Sequence, residues 1–207
     1  LFPIEDTTPH PAITGWGVVS SMGNNVEENL QSLKAERTGI AFDEEIDIRK
    51  GRFLGRVRLS DEEMSQELGL TAPISRTALL GIYAAKEAWG QKEIPTSLRC
   101  GVISGTTVGG MDLTEQTYRN FSKNGEWDDL NVLWQHDNGF STDQIGNYLQ
   151  INDYRTTLST ACSSAANAIM MGANLIKTKQ LDRVLVGGVD ALTYFTINGF
   201  DSLMIFD

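Results

Sequence analysis

The chain has 207 residues, 41% of them hydrophobic and 21% charged, enough to bury a sizeable core as one large domain or two small ones. Its formal net charge of -10 disfavours attraction to nucleic acid phosphates or anionic lipid, so nucleic acid is not an expected partner. No apolar run approaches the roughly 18 uncharged residues of a membrane span, and "LFPIEDTTPH" lacks the regions of a signal peptide.

Residues 1–10 read as a loose tail and residues 11–207 as one unit, without short-period repeats, low-complexity tracts or linkers. "AITGWGVVS" (residues 12–20) is β-rich and glycine-punctuated, and leads through "SMGNN" into a helix, "VEENLQSLKAERTG", that stops at Gly39. After the basic loop "RKGRFLGRVR", Ser60 and Glu63 form a capping-box pattern for a short helix. A longer helix is expected from Pro73 to Trp89, with Gly90 as its stop. "CGVISGTT" (residues 100–107) reads as a buried strand, and Ser141 with Gln144 as another capping box. The strand "RTTLSTA", a helix from about Ser163 to Thr178 and the apolar strand "RVLVGGVDA" (residues 183–191) then make a βαβ unit with parallel strands. The fold class is therefore α/β.

From Cys162 to Ile176 that helix carries no charge, and its polar members Ser163, Asn167 and Asn174 share one narrow stripe. Such a helix is expected to be buried on nearly every side. Ala165, Ala166, Ala168, Gly172 and Ala173 also permit close backbone approach, and a sheet covers one face only, so a second cover is required.

The two cysteines, Cys100 and Cys162, supply neither a disulfide framework nor a Cys-rich zinc site, so no metal is expected, and free thiols in a reducing cytoplasm are the default. Cys162 has two readings of equal weight. A thiol where a strand turns into a helix faces unpaired backbone N–H groups, which favour the thiolate and can donate to an oxyanion. Alternatively, Cys162 is a small buried hydrophobe, the usual fate of free cysteine. Cys100 opens an apolar strand and reads as core filler.

"STACSSAANAI" resembles the active-site segment of the β-ketoacyl-acyl carrier protein synthases, the elongating ketosynthases of the thiolase superfamily. In the family's order, "ITGWGVVSSMGNNVEENLQSLKAERTGI", "CGVISGTTVGGMD" and "LVGGVDALTYFTINGFDSLM" resemble three further motifs, covering residues 12–207. The resemblance implies a thiolase-like fold, a mixed sheet with helices on both faces, layered against a second similar half. It implies a decarboxylative Claisen condensation in fatty acid or polyketide-type biosynthesis, with no resident cofactor, because substrates ride on the phosphopantetheine of an acyl carrier protein. Cys162 takes the position of the acyl-accepting nucleophile, with its own N–H as an oxyanion donor, and Val108 and Met111 fall where the acyl pocket is lined. The family also implies a homodimer in which "RVLVGGVDA", or a strand near it, pairs across a two-fold axis.

Two departures qualify the resemblance. The family's two catalytic histidines and lysine come from a C-terminal half with no counterpart here, and His10 and His136 both precede Cys162 and read as surface residues. The chain is thus expected to be the N-terminal half of such an enzyme. The family meets its acidic carrier with basic residues before the long helix, whereas "ELGLTAPISR" offers only Arg76; Arg49, Lys50, Arg52, Arg56 and Arg58 are the substitute cluster. A thiolase-type acyl-CoA acyltransferase fits less well, since "TACSS" differs from the "CGSG"-type segment. An α/β-hydrolase would want glycines around the nucleophile. A non-catalytic chain-length partner would lack the cysteine.

Overall fold

The computed structural model describes residues 10–44, 51–90, 97–127 and 129–205. Its frame is a three-stranded parallel sheet in the order β4-β3-β5, with β3 (Cys100–Gly105) between β4 (Tyr154–Leu158) and β5 (Arg183–Gly188). The expected βαβ unit is present, with its two strands flanking β3 rather than pairing with each other. All six residues of β3 are buried, as a continuous apolar run in a parallel sheet requires.

Both faces are covered, and the period-2 alternation of side chains decides by what. Val184 and Val186 of β5 meet Gly172 of α6 (Ser164–Lys177). On the other face, Val102 and Leu185 join the main core with Leu79 and Ile82 of α3 (Arg76–Trp89) and Ile145 of α5 (Asn138–Tyr148). The three-stranded sheet is wholly parallel; among the described residues the only antiparallel ladder pairs β1 (Ala41–Asp43) with β2 (Arg52–Leu54), and β2 lies inside the stretch read as a basic loop.

Local signals explain the helix starts. Ser60 and Glu63 form the expected reciprocal capping box at α2 (Asp61–Leu68), which ends at Gly69 with φ 69°. Asn25 caps α1 (Val26–Lys34), and this helix stops well before Gly39. α6 runs from Ser164 to Lys177, within one residue at each end of the expected helix, with Ser163 and Thr178 as its caps.

Four expectations are corrected. Residues 12–19 form no strand; the segment lies along α3, with Gly15 against the Ala88 backbone and the Val18 N–H donating to Glu87 at 3.1 Å. Its backbone finds a carboxylate rather than a partner strand among the described residues. The capping box at Ser141 does not form, because Asp137 starts α5 earlier and leaves Ser141 inside the helix, bonding back to the Asn138 carbonyl at 3.0 Å. α3 starts at Arg76, capped by Ser75, rather than at Pro73. Finally, α6 is not buried all round: Ser164, Ala168 and Gly172 form its one buried stripe, while Ile169 and Met170 are more than half exposed. The sheet covers one face, and no described element covers the other. The expected tail over residues 1–10 lies outside the described residues except for His10, which is exposed.

Candidate functional site

Cys162 follows the C-terminal end of β4, where the parallel ladder with β3 is extended one step by the Thr106 N–H donating to the Leu158 carbonyl at 3.1 Å. Beyond it the two chains diverge, one through residues 106–110 into α4 (Met111–Asn124), the other through residues 159–163 into α6. Divergence at the carboxyl ends of parallel strands is where α/β folds open a crevice.

The turn before α6 is tight. Ala161 has φ 53°, a left-handed conformation that costs a non-glycine residue about 1–2 kcal/mol, and Cys162 sits in the single 3₁₀ turn Ala161–Ser163. The Ser164 hydroxyl bonds the Ala161 carbonyl at 2.7 Å and accepts from the Thr160 N–H at 2.9 Å. Neither Thr160 nor Ser163 turns its side chain onto the N–H groups of the turn and of α6, so these donors carry no side-chain cap. The Cys162 side chain is exposed. No described element therefore buries Cys162 as a core residue.

Glycine makes the close approach of α6 possible. A Cβ on Gly105 would lie 2.5 Å from the Ser164 carbonyl carbon, and one on Gly188 2.7 Å from the Ala165 Cβ. The ends of β3 and β5 thus hold the first turn of α6 at backbone contact.

Val108 leaves the end of β3 on the adjacent loop and is buried, 4% exposed. Met111 is the first residue of α4 and half-buried, its Sδ accepting from the Thr193 hydroxyl at 3.8 Å. The loop is built by Asp190, which sequence reasoning missed. Its Oδ1 accepts from the Thr106 hydroxyl at 2.7 Å and the Thr107 N–H at 2.9 Å, while Thr106 Oγ1 accepts from the Val108 and Gly109 N–H groups at 3.3 Å each. The signal was an acid directly after the apolar strand "RVLVGGV". Cys162 and Val108 therefore share one end of the sheet, and Met111 opens the helix that follows the Val108 loop. A shallow cavity of about 420 Å³ lies instead along the free edge of β4, lined by Asp137, Thr142, Arg155, Thr157 and Ser159, and includes none of these three residues.

Burial raises the Asp112 carboxyl above the usual carboxylate range, although one oxygen accepts from the Arg76 N–H at 2.9 Å. The other, Oδ1, has no hydrogen-bond partner. His136 is exposed, its Nδ1 2.9 Å from the Thr114 hydroxyl. The substitute basic cluster is engaged internally where described: Arg52 pairs with Asp201 at 2.7 Å, and Arg56 and Arg58 approach Asp43 at 3.4 and 3.8 Å. Arg49 and Lys50 lie outside the described residues. Arg76 binds Asp61 and the carbonyls of Val57 and Leu59. Among the described residues no three His, Cys, Asp or Glu side chains cluster as a metal site, and no helix is long and apolar enough to cross a membrane.

Residues 11–207 match the family model described as beta-ketoacyl synthase, N-terminal domain. The 3-oxoacyl-[acyl-carrier-protein] synthase 1 of Buchnera aphidicola subsp. Baizongia pistaciae is 24% identical over 206 residues, 92% of this chain and 49% of that protein. The 3-oxoacyl-[acyl-carrier-protein] synthase 2 of Vibrio cholerae is 26% identical, with 91% and 47% covered. Among solved structures, a ketosynthase in complex with its chain length factor from Xenorhabdus doucetiae superposes with a TM-score of 0.77 at 27% identity, over 98% of this chain and 52% of that one. The ishigamide ketosynthase/chain length factor reaches 0.82 at 24% identity, over 97% and 52%. The chain spans about half the length of the curated relatives it matches.

Proposed function

The chain belongs to the β-ketoacyl synthase family and has its thiolase-like fold, and from that premise we propose that it supplies the acyl-accepting half of a 3-oxoacyl-[acyl carrier protein] synthase. The observation that carries this reading is the exposed Cys162, set on a left-handed turn at the carboxyl end of a parallel sheet and followed by uncapped helix N–H groups.

In the proposed reaction the Cys162 sulfur attacks the acyl thioester on the carrier's phosphopantetheine. A new S–C bond forms, the old one breaks, and the pantetheine thiol takes the proton. Backbone N–H groups of the turn stabilise the oxyanion of the addition step. Val108 and Met111 line the acyl chain's path. Malonyl-acyl carrier protein then loses carbon dioxide, and its enolate carbon bonds to the acyl-cysteine carbonyl carbon as the C–S bond to Cys162 breaks. This regenerates the thiolate and leaves a 3-oxoacyl thioester on the carrier, in fatty acid or polyketide-type biosynthesis. The protein's own side chains and N–H groups perform these steps without a resident cofactor. A reducing compartment such as the cytoplasm suits a free nucleophilic thiol.

Enolate stabilisation falls to histidines of a second half. The same half is the cover for the exposed face of α6, whose Ile169 and Met170 stand in solvent here. A homodimer is part of the reading, through β5 or a strand near it: among the described residues β5 lies at an edge of the sheet, and an unpaired edge is a template for a second copy. Sedimentation of the complete protein as a monomer at micromolar concentration would count against it.

The test is to incubate a mass-verified 207-residue species with acyl and malonyl carrier-protein thioesters. Acylation at Cys162 without 3-oxoacyl product is expected, and condensation once a C-terminal half bearing two histidines is added. Product from the isolated chain would show that the catalytic groups are misplaced.

A further inference from the structure

We propose that Asn167 is a positioning residue for Cys162, acting through the Thr160 hydroxyl; this rests on the reading of Cys162 as the acyl acceptor. Asn167 lies about one turn into α6, next to Ala168, which is fully buried. Its Nδ2 donates to Thr160 Oγ1 at 2.8 Å and approaches Ser163 Oγ at 3.3 Å. Ser163 Oγ in turn donates to the Thr160 carbonyl at 2.7 Å and lies 3.1 Å from Thr160 Oγ1. On the other side Ser164 holds the Thr160 N–H and the Ala161 carbonyl.

Thr160 is therefore fixed through its N–H, carbonyl and hydroxyl, and the residue that absorbs the constraint is Ala161 at φ 53°. A left-handed alanine persists only where its surroundings over-determine it. Ser164, held against β3, fixes the Thr160 N–H and the Ala161 carbonyl, and Asn167, deeper in the helix beside buried Ala168, fixes the Thr160 hydroxyl, so the two together tie the turn carrying Cys162 to the sheet. Stability of α6 alone does not call for asparagine, because alanine or leucine is the better helix former at a half-exposed site.

The experiment uses the full-length protein with Asn167→Ala, Thr160→Val, the double variant and Thr160→Ser. Two rates at Cys162 are measured: alkylation by iodoacetamide, and acylation by hexanoyl-pantetheine across concentrations. Each single variant should slow both rates about three- to tenfold, the scale of one hydrogen bond, with half-saturation by the thioester unchanged. The double variant should be no slower than either single, and Thr160→Ser should restore the wild-type rates. Unchanged rates in both singles, or additive losses that Thr160→Ser does not restore, would overturn the proposal. Should Asn167→Ala fail to fold, Thr160→Val against Thr160→Ser decides alone. A wild-type protein that alkylates at Cys162 but is never acylated defeats the acyl-acceptor reading, while the alkylation series still scores Asn167.

Discussion

The two ends of the parallel sheet are built for different purposes. At its amino end Arg99 grips Asp182 with two side-chain bonds of 2.9 and 2.8 Å, which pull the Asp182 carboxyl down to about 2. There the Cys100 N–H donates to Asp153 at 2.7 Å, and Arg183 stacks on Trp89 at 3.7 Å. At its carboxyl end Ala161 is strained, Cys162 stands in solvent, and one oxygen of the raised Asp112 carboxyl has no partner. The chain's two thiols sample both environments. Cys100 is 3% exposed, and burial, then the charge of Asp153, push its thiol up towards the inert protonated form. Both ends hold left-handed residues and a buried unpartnered polar atom, Gln150, Lys179 and Trp89 Nε1 at the amino end against Ala161 and Asp112 Oδ1 at the carboxyl end. What separates them is the thiol, buried beside charge pairs at one end and exposed on a turn where strands diverge at the other.

The largest effect that could break this comparison is deletion of the thiols one at a time. Cys162→Ala should abolish acylation and condensation in the complete enzyme, while Cys100→Ala should leave turnover unchanged and cost about 1 kcal/mol of stability as a small core truncation. Kinetics and denaturant melts of both variants check this.

Next is Gly105→Ala, which sets a methyl 2.5 Å from the Ser164 backbone and forces α6 away from the sheet. Overpacking of this kind costs about 1–3 kcal/mol, and displacement of Cys162 should slow its proposed acylation about tenfold or more. A rapid-quench assay reads the rate. An equivalent substitution at Gly69, where a Cβ meets nothing, should strain only the local helix end.

A subtler change is Val108→Phe. Filling the loop that Asp190 organises should shorten the longest acyl chain accepted by the complete enzyme, seen in the product distribution by mass spectrometry. Unchanged chain length in a folded variant removes Val108 from the acyl path.

The smallest effect sharpens the comparison through pH. Asp112 binds its proton more tightly folded than unfolded, so its contribution is fully present below the ordinary carboxylate value. It is lost as pH rises through the raised folded value. Asp112→Asn keeps an acceptor for the Arg76 N–H and should flatten that part of the stability curve, read from thermal midpoints between about pH 4 and 7. A wild-type curve rising through that window to the same degree as the variant's would exclude Asp112 as the cause.

What the sequence revealed follows the range of the interactions involved. The Ser60 capping box and the stop at Gly90 were legible because donor and acceptor lie within one turn. The strands β3 and β5 were legible as apolar runs, β4 as a β-branched one, and Cys162 because a strand feeds a small-residue helix there. The segment over residues 12–19 has strand composition, but whether it pairs depends on a partner distant in sequence, and here its donor found Glu87. α4 and α7 (Tyr194–Ser202) were missed: α4 starts after Gly110 without a side-chain cap and is mostly polar. α7 does carry a local cap that the reading overlooked, Thr193 accepting from the Thr196 N–H, and Glu115 adds a distant one by accepting from the Tyr194 and Phe195 N–H groups. Asp190 and Asn167 act across turns that composition does not encode. The burial of α6 was overestimated because its apolar surface was counted without asking which elements were present to meet it.

The central claim is that chemistry belongs to the carboxyl end of the sheet. Its most direct test is brief iodoacetamide treatment of the native protein at about pH 7, quenched over time and mapped by peptide mass spectrometry. The account predicts early, near-complete label on the peptide bearing Cys162 and none on that bearing Cys100 until the fold is opened by denaturant. Equal or faster labelling of Cys100 in the folded protein would contradict it.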